Sequence, residues 1–93
     1  MTFLCHYSWS PDKATQDEAI RRFRETGGQP PAGARLLGRW TRADFIGGVV
    51  LLESDDPKVV TQSSLMWSDL MELEVVPVLD DQEILEVLTR AGK

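Results

Sequence analysis

Two apolar runs in the second half of the chain constrain its fold more than any other feature. Val49 to Leu52 and Val75 to Leu79 contain no alternating polar residues. A strand in a sheet with one solvated face alternates apolar and polar side chains, so these runs are typical of strands that are covered on both faces. Each face of the sheet must therefore be covered, either by helices of the same chain or by a partner.

The strands are predicted from period-two patterns and from the turn residues between them. The first segment is aromatic and apolar, and its odd-numbered residues from Phe3 to Trp9 share one face of a strand. A short polar turn after Thr41 predicts that the second and third strands pair as an antiparallel hairpin. The predicted strands are Thr2 to Trp9, Ala34 to Thr41, Phe45 to Glu53 and Met71 to Leu79.

Capping signals predict the two main helices. Ser10 as N-cap and the proline after it predict a helix from about Asp12 to Thr26, which a pair of glycines ends. Asp56 is the predicted N-cap of a second helix, and helical apolar spacing continues from there to Leu70.

A short third helix follows the capping-box spacing at Asp80, and its apolar residues Ile84, Leu85 and Leu88 are predicted to point inward. The element order is then β-α-β-β-α-β with a short C-terminal helix. This is the ferredoxin-like α+β arrangement, an antiparallel sheet with helices on one face. We expect residues 1–93 to form a single domain of this class.

The second face of the predicted sheet needs a cover that the two main helices do not provide. The most economical cover is a second copy of the chain related by two-fold symmetry. We therefore expect a homodimer in which the two sheets face each other.

Charge and cysteine usage exclude several classes of protein. The net charge of −5 and the scattered basic residues argue against a nucleic-acid partner. No apolar stretch is long enough to span a membrane, and a membrane partner is not expected. The single cysteine, Cys5, forms no intrachain disulfide, which favours a reducing cytosol, and no Cys/His cluster predicts a metal. No catalytic motif is present, and no cofactor is predicted.

Polar residues in or beside apolar strands are the first candidates for a ligand site. His6, the only histidine, is a candidate base; the alternative, which the absence of an identifiable orienting partner favours, is a packed or solvated strand histidine without a role. Arg39 shares strand parity with Arg35 and is a candidate clamp for a carboxylate; the alternative is an ion pair with Glu53 or Glu74.

Two tryptophans and a glutamate complete the candidate set. Trp40 and Trp67 are candidate walls of an apolar pocket, with core or dimer-interface packing as the alternative. Glu53 closes an apolar strand, where an enclosed carboxylate has a raised pKa and acts as acid or base. The alternative for Glu53 is a strand-edge charge that faces water.

Five short motifs, in order along most of the chain, resemble a family of small bacterial proteins described only as a domain of unknown function. The motifs are Glu25-Thr-Gly-Gly with Pro30-Pro31, Leu36-Leu-Gly-Arg-Trp40, Glu53 with Asp55-Asp56-Pro57, Trp67-Ser-Asp-Leu70 and Val76-Pro-Val-Leu79.

The resemblance implies a dimeric α+β barrel fold, in agreement with the predicted topology. Related barrels include cofactor-independent monooxygenases, muconolactone isomerases and haem-binding enzymes, but the family itself implies no activity. Its members often carry a histidine after Gly-Arg-Trp, where this chain has Thr41. The predicted function is binding of a small, mostly apolar ligand, with cofactor-independent chemistry as an option. The alternative is a structural or protein-interaction subunit whose barrel is filled by side chains.

Overall fold

The computed structural model describes residues 1–93 and has the predicted element order. The four strands form one sheet in the order β2-β3-β1-β4, and every neighbouring pair is antiparallel. This is the ferredoxin-like topology. The elements are β1 (Thr2–Trp9), α1 (Lys13–Thr26), β2 (Ala34–Thr41), β3 (Gly47–Ser54), α2 (Pro57–Leu65), β4 (Met71–Val78) and α3 (Asp81–Arg90).

A β-bulge in β2 decides which of its side chains point to which face. The register with β3 shifts between Leu36 and Gly38, which leaves Leu37 without a partner. Strand alternation is interrupted there, because the extra residue reverses the parity of everything after it. Arg35 lies opposite Glu53 and Arg39 lies opposite Val50, which belong to opposite faces of β3. The expectation that Arg35 and Arg39 share a face is therefore wrong.

Two helix boundaries also differ from the prediction. The N-cap of α1 is Asp12 and not Ser10, because the Asp12 carboxylate accepts hydrogen bonds from both the amide and the hydroxyl of Thr15 at 2.9 Å. The second helix ends at Leu65, and the following residues form turns, so Trp67 lies in a turn between α2 and β4. The predicted caps at Asp56 and Asp80 are confirmed.

Close backbone approach explains the two glycines that open β3. A Cβ at Gly47 would overlap the carbonyl oxygen of Tyr7, and one at Gly48 would overlap that of Trp40. Larger residues would push β3 away from both of its neighbours. Residues 45 and 46, which were predicted to start this strand, lie instead in the hairpin turn.

The helices α1 and α2 cover one face of the sheet, and the core lies between them. The buried hydrophobic residues alternate along the strands and recur once in each main helix: Phe3, Cys5, Trp9, Ala19, Leu52 and Val60. The opposite face, which we call the open face, is not covered by any part of the chain. It consists of the side chains of alternate strand residues, among them Leu4, Val49, Leu51, Val76 and Trp40.

The third helix does not pack as predicted. Ile84, Leu85 and Leu88 are all exposed, and Leu85 has 63% of its surface accessible. Their inward orientation is therefore not observed within one chain. The molecule is elongated, with extents of 53 × 28 × 17 Å and a radius of gyration of 15.4 Å, against about 12 Å for a compact chain of this length. None of its helices is long and apolar enough to cross a membrane.

Candidate functional site

A cavity of about 480 Å³ lies between the helix-covered face of the sheet and the two main helices. Its floor is formed by alternate residues of all four strands, and its roof by α1, α2 and the turns that follow them. Of its 22 lining residues, 15 are hydrophobic. Sites that bind small molecules typically have volumes of about 300–1,000 Å³ and mostly apolar walls. The cavity has both properties.

Polar contacts tie the C-terminal half of α1 to the turn after α2 and to the sheet. Arg22 donates two hydrogen bonds to the Asp69 carboxylate and one to the Met66 carbonyl, all at 2.9 Å. Arg39, on β2, donates to the carbonyls of Gly28 at 2.8 Å and Gly27 at 3.1 Å, just beyond the C-terminus of α1. A cation is favourable there because the last carbonyls of a helix carry partial negative charge. Of these two contacts, the one made by Arg39 and Gly28 is part of the cavity lining.

Ionisation around the cavity follows these contacts. The Arg22 guanidinium lowers the pKa of Asp69, so this carboxylate stays charged in mildly acidic solution. On the outer surface of α1, the Arg21 guanidinium, with Arg22, lowers the pKa of Glu18 to about 2. Burial raises the pKa of the Cys5 thiol, which lines the cavity. Cys5 is therefore a neutral thiol near pH 7 and not a ready nucleophile.

One end of the cavity is aromatic and contains an unpaired donor. Trp9 stacks on Tyr7, with ring centroids 5.8 Å apart, and meets Phe45 edge-on at 5.2 Å. Phe45 has φ +60°, a left-handed conformation that bulky side chains rarely adopt. Trp9 is only 8% exposed, and its indole Nε1–H has no hydrogen-bond partner in the protein. Because buried donors are almost always paired, this unpaired donor is exceptional.

Thr41 lies on the cavity floor beside the aromatic end. Its Oγ1 is 3.4 Å from the Tyr7 hydroxyl. This is the position at which the resemblance implies a histidine in many relatives, and it faces the cavity. The chain has a hydroxyl there instead of an imidazole.

Two of the five candidate residues line the cavity. Arg39 is half-buried, and its guanidinium lies 5.0 Å from the centre of the Phe23 ring. Trp67 is half-buried in the turn after α2, with the Arg22 guanidinium 5.4 Å from its ring centre.

The other three candidates lie on the open face. His6 is exposed and stands opposite Val49 on β3 and Glu74 on β4. Trp40 is 58% exposed and its ring lies across Gly38, where no Cβ would fit beneath it. Glu53 pairs with Arg35 at 3.0 Å. The five candidates therefore lie on opposite faces of the sheet. The ion pair with Glu53 that was considered for Arg39 is made by Arg35 instead.

Sequence reasoning missed the aromatic end of the cavity. The shared parity of Tyr7 and Trp9 on the first strand was the available signal, because it places both side chains on the face of Cys5. Phe45 carried no such signal, since its inward position depends on a backbone conformation that its residue type disfavours. No group of three or more His, Cys, Asp or Glu side chains is arranged to hold a metal ion.

The fold and this cavity define a ferredoxin-like α+β domain with an apolar chamber between its sheet and its helices. The family model described as "Domain of unknown function (DUF3303)" matches residues 1–92. The chain therefore belongs to the DUF3303 family, which confirms the resemblance seen in its motifs.

Other comparisons add little about function. A solved structure titled "Structure of Rv0793 from Mycobacterium tuberculosis" is similar at 16% identity, over 86% of this chain and 95% of that chain, with a TM-score of 0.42. At this level the likeness bears on neither the ligand nor the activity of this chain. No curated protein matches the chain.

Proposed function

We propose that this protein is a homodimer in which each chain binds a small, mostly apolar ligand in the cavity between its sheet and its helices. The proposal rests on one observation above others: Trp9, a lining residue of that cavity, has a buried Nε1–H without a partner in the protein. An unpaired buried donor costs about 1–3 kcal/mol. A ligand with a hydrogen-bond acceptor would recover that free energy on binding.

The size of the cavity supports a ligand more than a core filled by side chains. Cores are close-packed, and voids larger than a water molecule are few. A volume of about 480 Å³ is about three times that of an engineered cavity that binds benzene. A filled interior would leave the protein to act through its surface alone, and the open volume is evidence against that alternative.

Unsatisfied apolar surface supports the homodimer. The open face presents Leu4, Val49, Leu51 and Val76 beside the exposed Trp40 ring, and the apolar side of α3 is also unpacked. The accessible surface is 6505 Å², about 1,100 Å² more than a compact monomer of this mass exposes. A stable interface buries about 800 Å² per partner, so the excess is sufficient for one.

In this assignment the five candidate residues have two roles. Arg39 and Trp67 contact the ligand, whereas His6, Trp40 and Glu53 lie in or beside the dimer interface. The free, buried Cys5 suits a reducing compartment such as the cytosol.

Native mass spectrometry of freshly purified protein tests both parts of the proposal. We expect a mass near twice 10.4 kDa and a small-molecule adduct that is lost on denaturation. A monomer at micromolar concentration would contradict the dimer.

A matched pair of tryptophan variants tests the site. Trp9→Phe keeps an aromatic ring but removes the donor, and we expect it to lose the adduct. Trp40→Phe makes the same change on the open face and should retain it. If both variants retain the adduct equally, Trp9 is not part of the site. If the unmodified protein is a dimer without an adduct and binds no added aromatic compound, the proposal of ligand binding is rejected.

A further inference from the structure

We propose that the ligand is an aromatic carboxylate, with its anionic group held at Arg39 and its ring system toward Trp9. The inference rests on the proposed function, since it concerns the chemistry of the same cavity. Three observations carry it: the charge of the walls, the unpaired state of Arg39 and the aromatic residues of the lining.

The walls of the cavity are cationic although the protein is acidic. The chain has 15 Asp and Glu residues, and none of them is among the 22 that line the cavity. Its 10 Lys and Arg residues include two in the lining, Arg24 and Arg39. A cleft whose charge opposes the net charge of the protein selects ligands of the opposite sign to its own. An anion is therefore favoured over a neutral or cationic compound.

Arg39 is oriented by hydrogen bonds but forms no ion pair with a carboxylate of the protein. Four other arginines lie within 4.0 Å of a carboxylate: Arg21, Arg22, Arg35 and Arg42. Arg39 donates to two carbonyl oxygens, which fix its orientation and use two of its five N–H donors. The remaining donors suit a carboxylate, which guanidinium groups bind in paired, charge-assisted hydrogen bonds.

The rest of the lining favours an aromatic body. Five of the seven aromatic residues of the chain line the cavity: Tyr7, Trp9, Phe23, Phe45 and Trp67. Aromatic rings gain from stacking and edge contacts beyond the area that they bury. The volume of the cavity accommodates two or three fused or linked rings. A second acceptor on the far side of such a ligand would pair with the Trp9 Nε1–H.

Three probes that differ mainly in charge test the inference by isothermal titration calorimetry on the full chain. They are 2-naphthylacetate, 2-naphthylacetamide and 2-(2-naphthyl)ethylammonium. We expect the anion to bind at least tenfold more tightly than the amide, which corresponds to about 1.4 kcal/mol, and the cation to bind weakest. Equal binding of anion and amide would overturn the inference while leaving the proposed function intact. Absence of binding by all three would reject both.

Variants of three arginines assign the selectivity. Arg39→Gln should reduce the anion-to-amide affinity ratio to below about two, and Arg39→Lys should retain part of it because the charge remains. Binding of the neutral amide in the same sample shows that the cavity is intact, so misfolding is distinguished from loss of selectivity. Arg24→Gln should reduce the ratio less. Arg35→Gln, on the open face, is the matched control and should leave it unchanged; a ratio that survives Arg39→Gln would overturn the assignment.

Discussion

The two faces of the sheet are built by the same four strands but differ in almost every property. The covered face carries Cys5, Tyr7 and Trp9, lines a cavity and includes one buried unpaired donor. The open face carries aliphatic side chains at its centre, with Trp40 lying flat across the backbone. Trp9 is 8% exposed and Trp40 is 58% exposed. Alternation along a strand thus allows one sheet to line an apolar cavity on one side and to expose apolar side chains on the other.

This difference shows why one residue type predicts no single role. Trp9 and Trp40 both lie at the end of a strand, and of the two only Trp40 was a candidate pocket wall. Their roles differ because one points into a space bounded by two helices and the other into a space that no part of the chain fills. The comparison is tested by changing matched residues on the two faces.

The largest expected effect comes from truncating the two tryptophans. Trp9→Ala should lower the free energy of unfolding by about 3–5 kcal/mol, because it removes a large buried side chain from the aromatic cluster. Its effect should not depend on protein concentration. Trp40→Ala should act through association, so its cost in urea unfolding should shrink on dilution. A concentration-independent loss of similar size at Trp40 would contradict the division of roles.

A charge on the open face should separate association from ligand binding. Leu51→Glu places a carboxylate at the centre of the proposed interface and should weaken dimerisation by about 30-fold or more, the effect of losing an interface hot spot of about 2 kcal/mol. Binding of the naphthyl probes should remain within about twofold. Sedimentation velocity and calorimetry on the same preparation measure both properties, and a variant that stays dimeric would place the interface elsewhere.

Two helix caps compare a packed helix with an unpacked one. Asp56 caps α2, which covers the sheet, and Asp80 caps α3, which has no buried residues. In a monomeric Leu51→Glu background, Asp56→Ala should lower the free energy of unfolding by about 1 kcal/mol. Asp80→Ala should reduce helicity in circular dichroism with a smaller change in global stability. An equal loss of stability would show that α3 is part of the monomer core.

The smallest expected effect is a pH dependence that arises from two carboxylates paired with arginines of α1. The pKa values of Asp69 and Glu18 are lowered by arginines in the folded protein. Both carboxylates therefore stabilise the fold at neutral pH, and this contribution is lost as pH falls from about 4.5 toward 2. Asp69→Asn should flatten the melting-temperature profile over that window. Arg35→Gln removes an ion pair on the open face and should leave the slope unchanged.

Much of the fold was predictable because local signals agree with one another. The caps at Asp56 and Asp80, the glycine stop after α1 and the period-two strands each report on a few neighbouring residues. The prediction of Ser10 as N-cap was wrong because Ser10 and Asp12 both offer a side-chain acceptor near the start of the helix. The Asp12 carboxylate accepts hydrogen bonds from both the amide and the hydroxyl of Thr15. The prediction that the apolar residues of α3 point inward was wrong for the single chain. An amphipathic pattern indicates that a helix packs against a partner, but it does not indicate which chain supplies that partner.

The sequence by itself determined the element order, the antiparallel hairpin, the acidic charge and the presence of an apolar second face. Only the tertiary structure decided which candidates meet. One unpaired residue at Leu37 reverses the parity of β2, so that Arg39 faces the cavity and Arg35 faces Glu53. Local propensity does not mark such a bulge, because it arises from the register between two strands. For the same reason the cavity, the gap beneath α1 and the unpaired Trp9 donor exist only once distant segments are assembled.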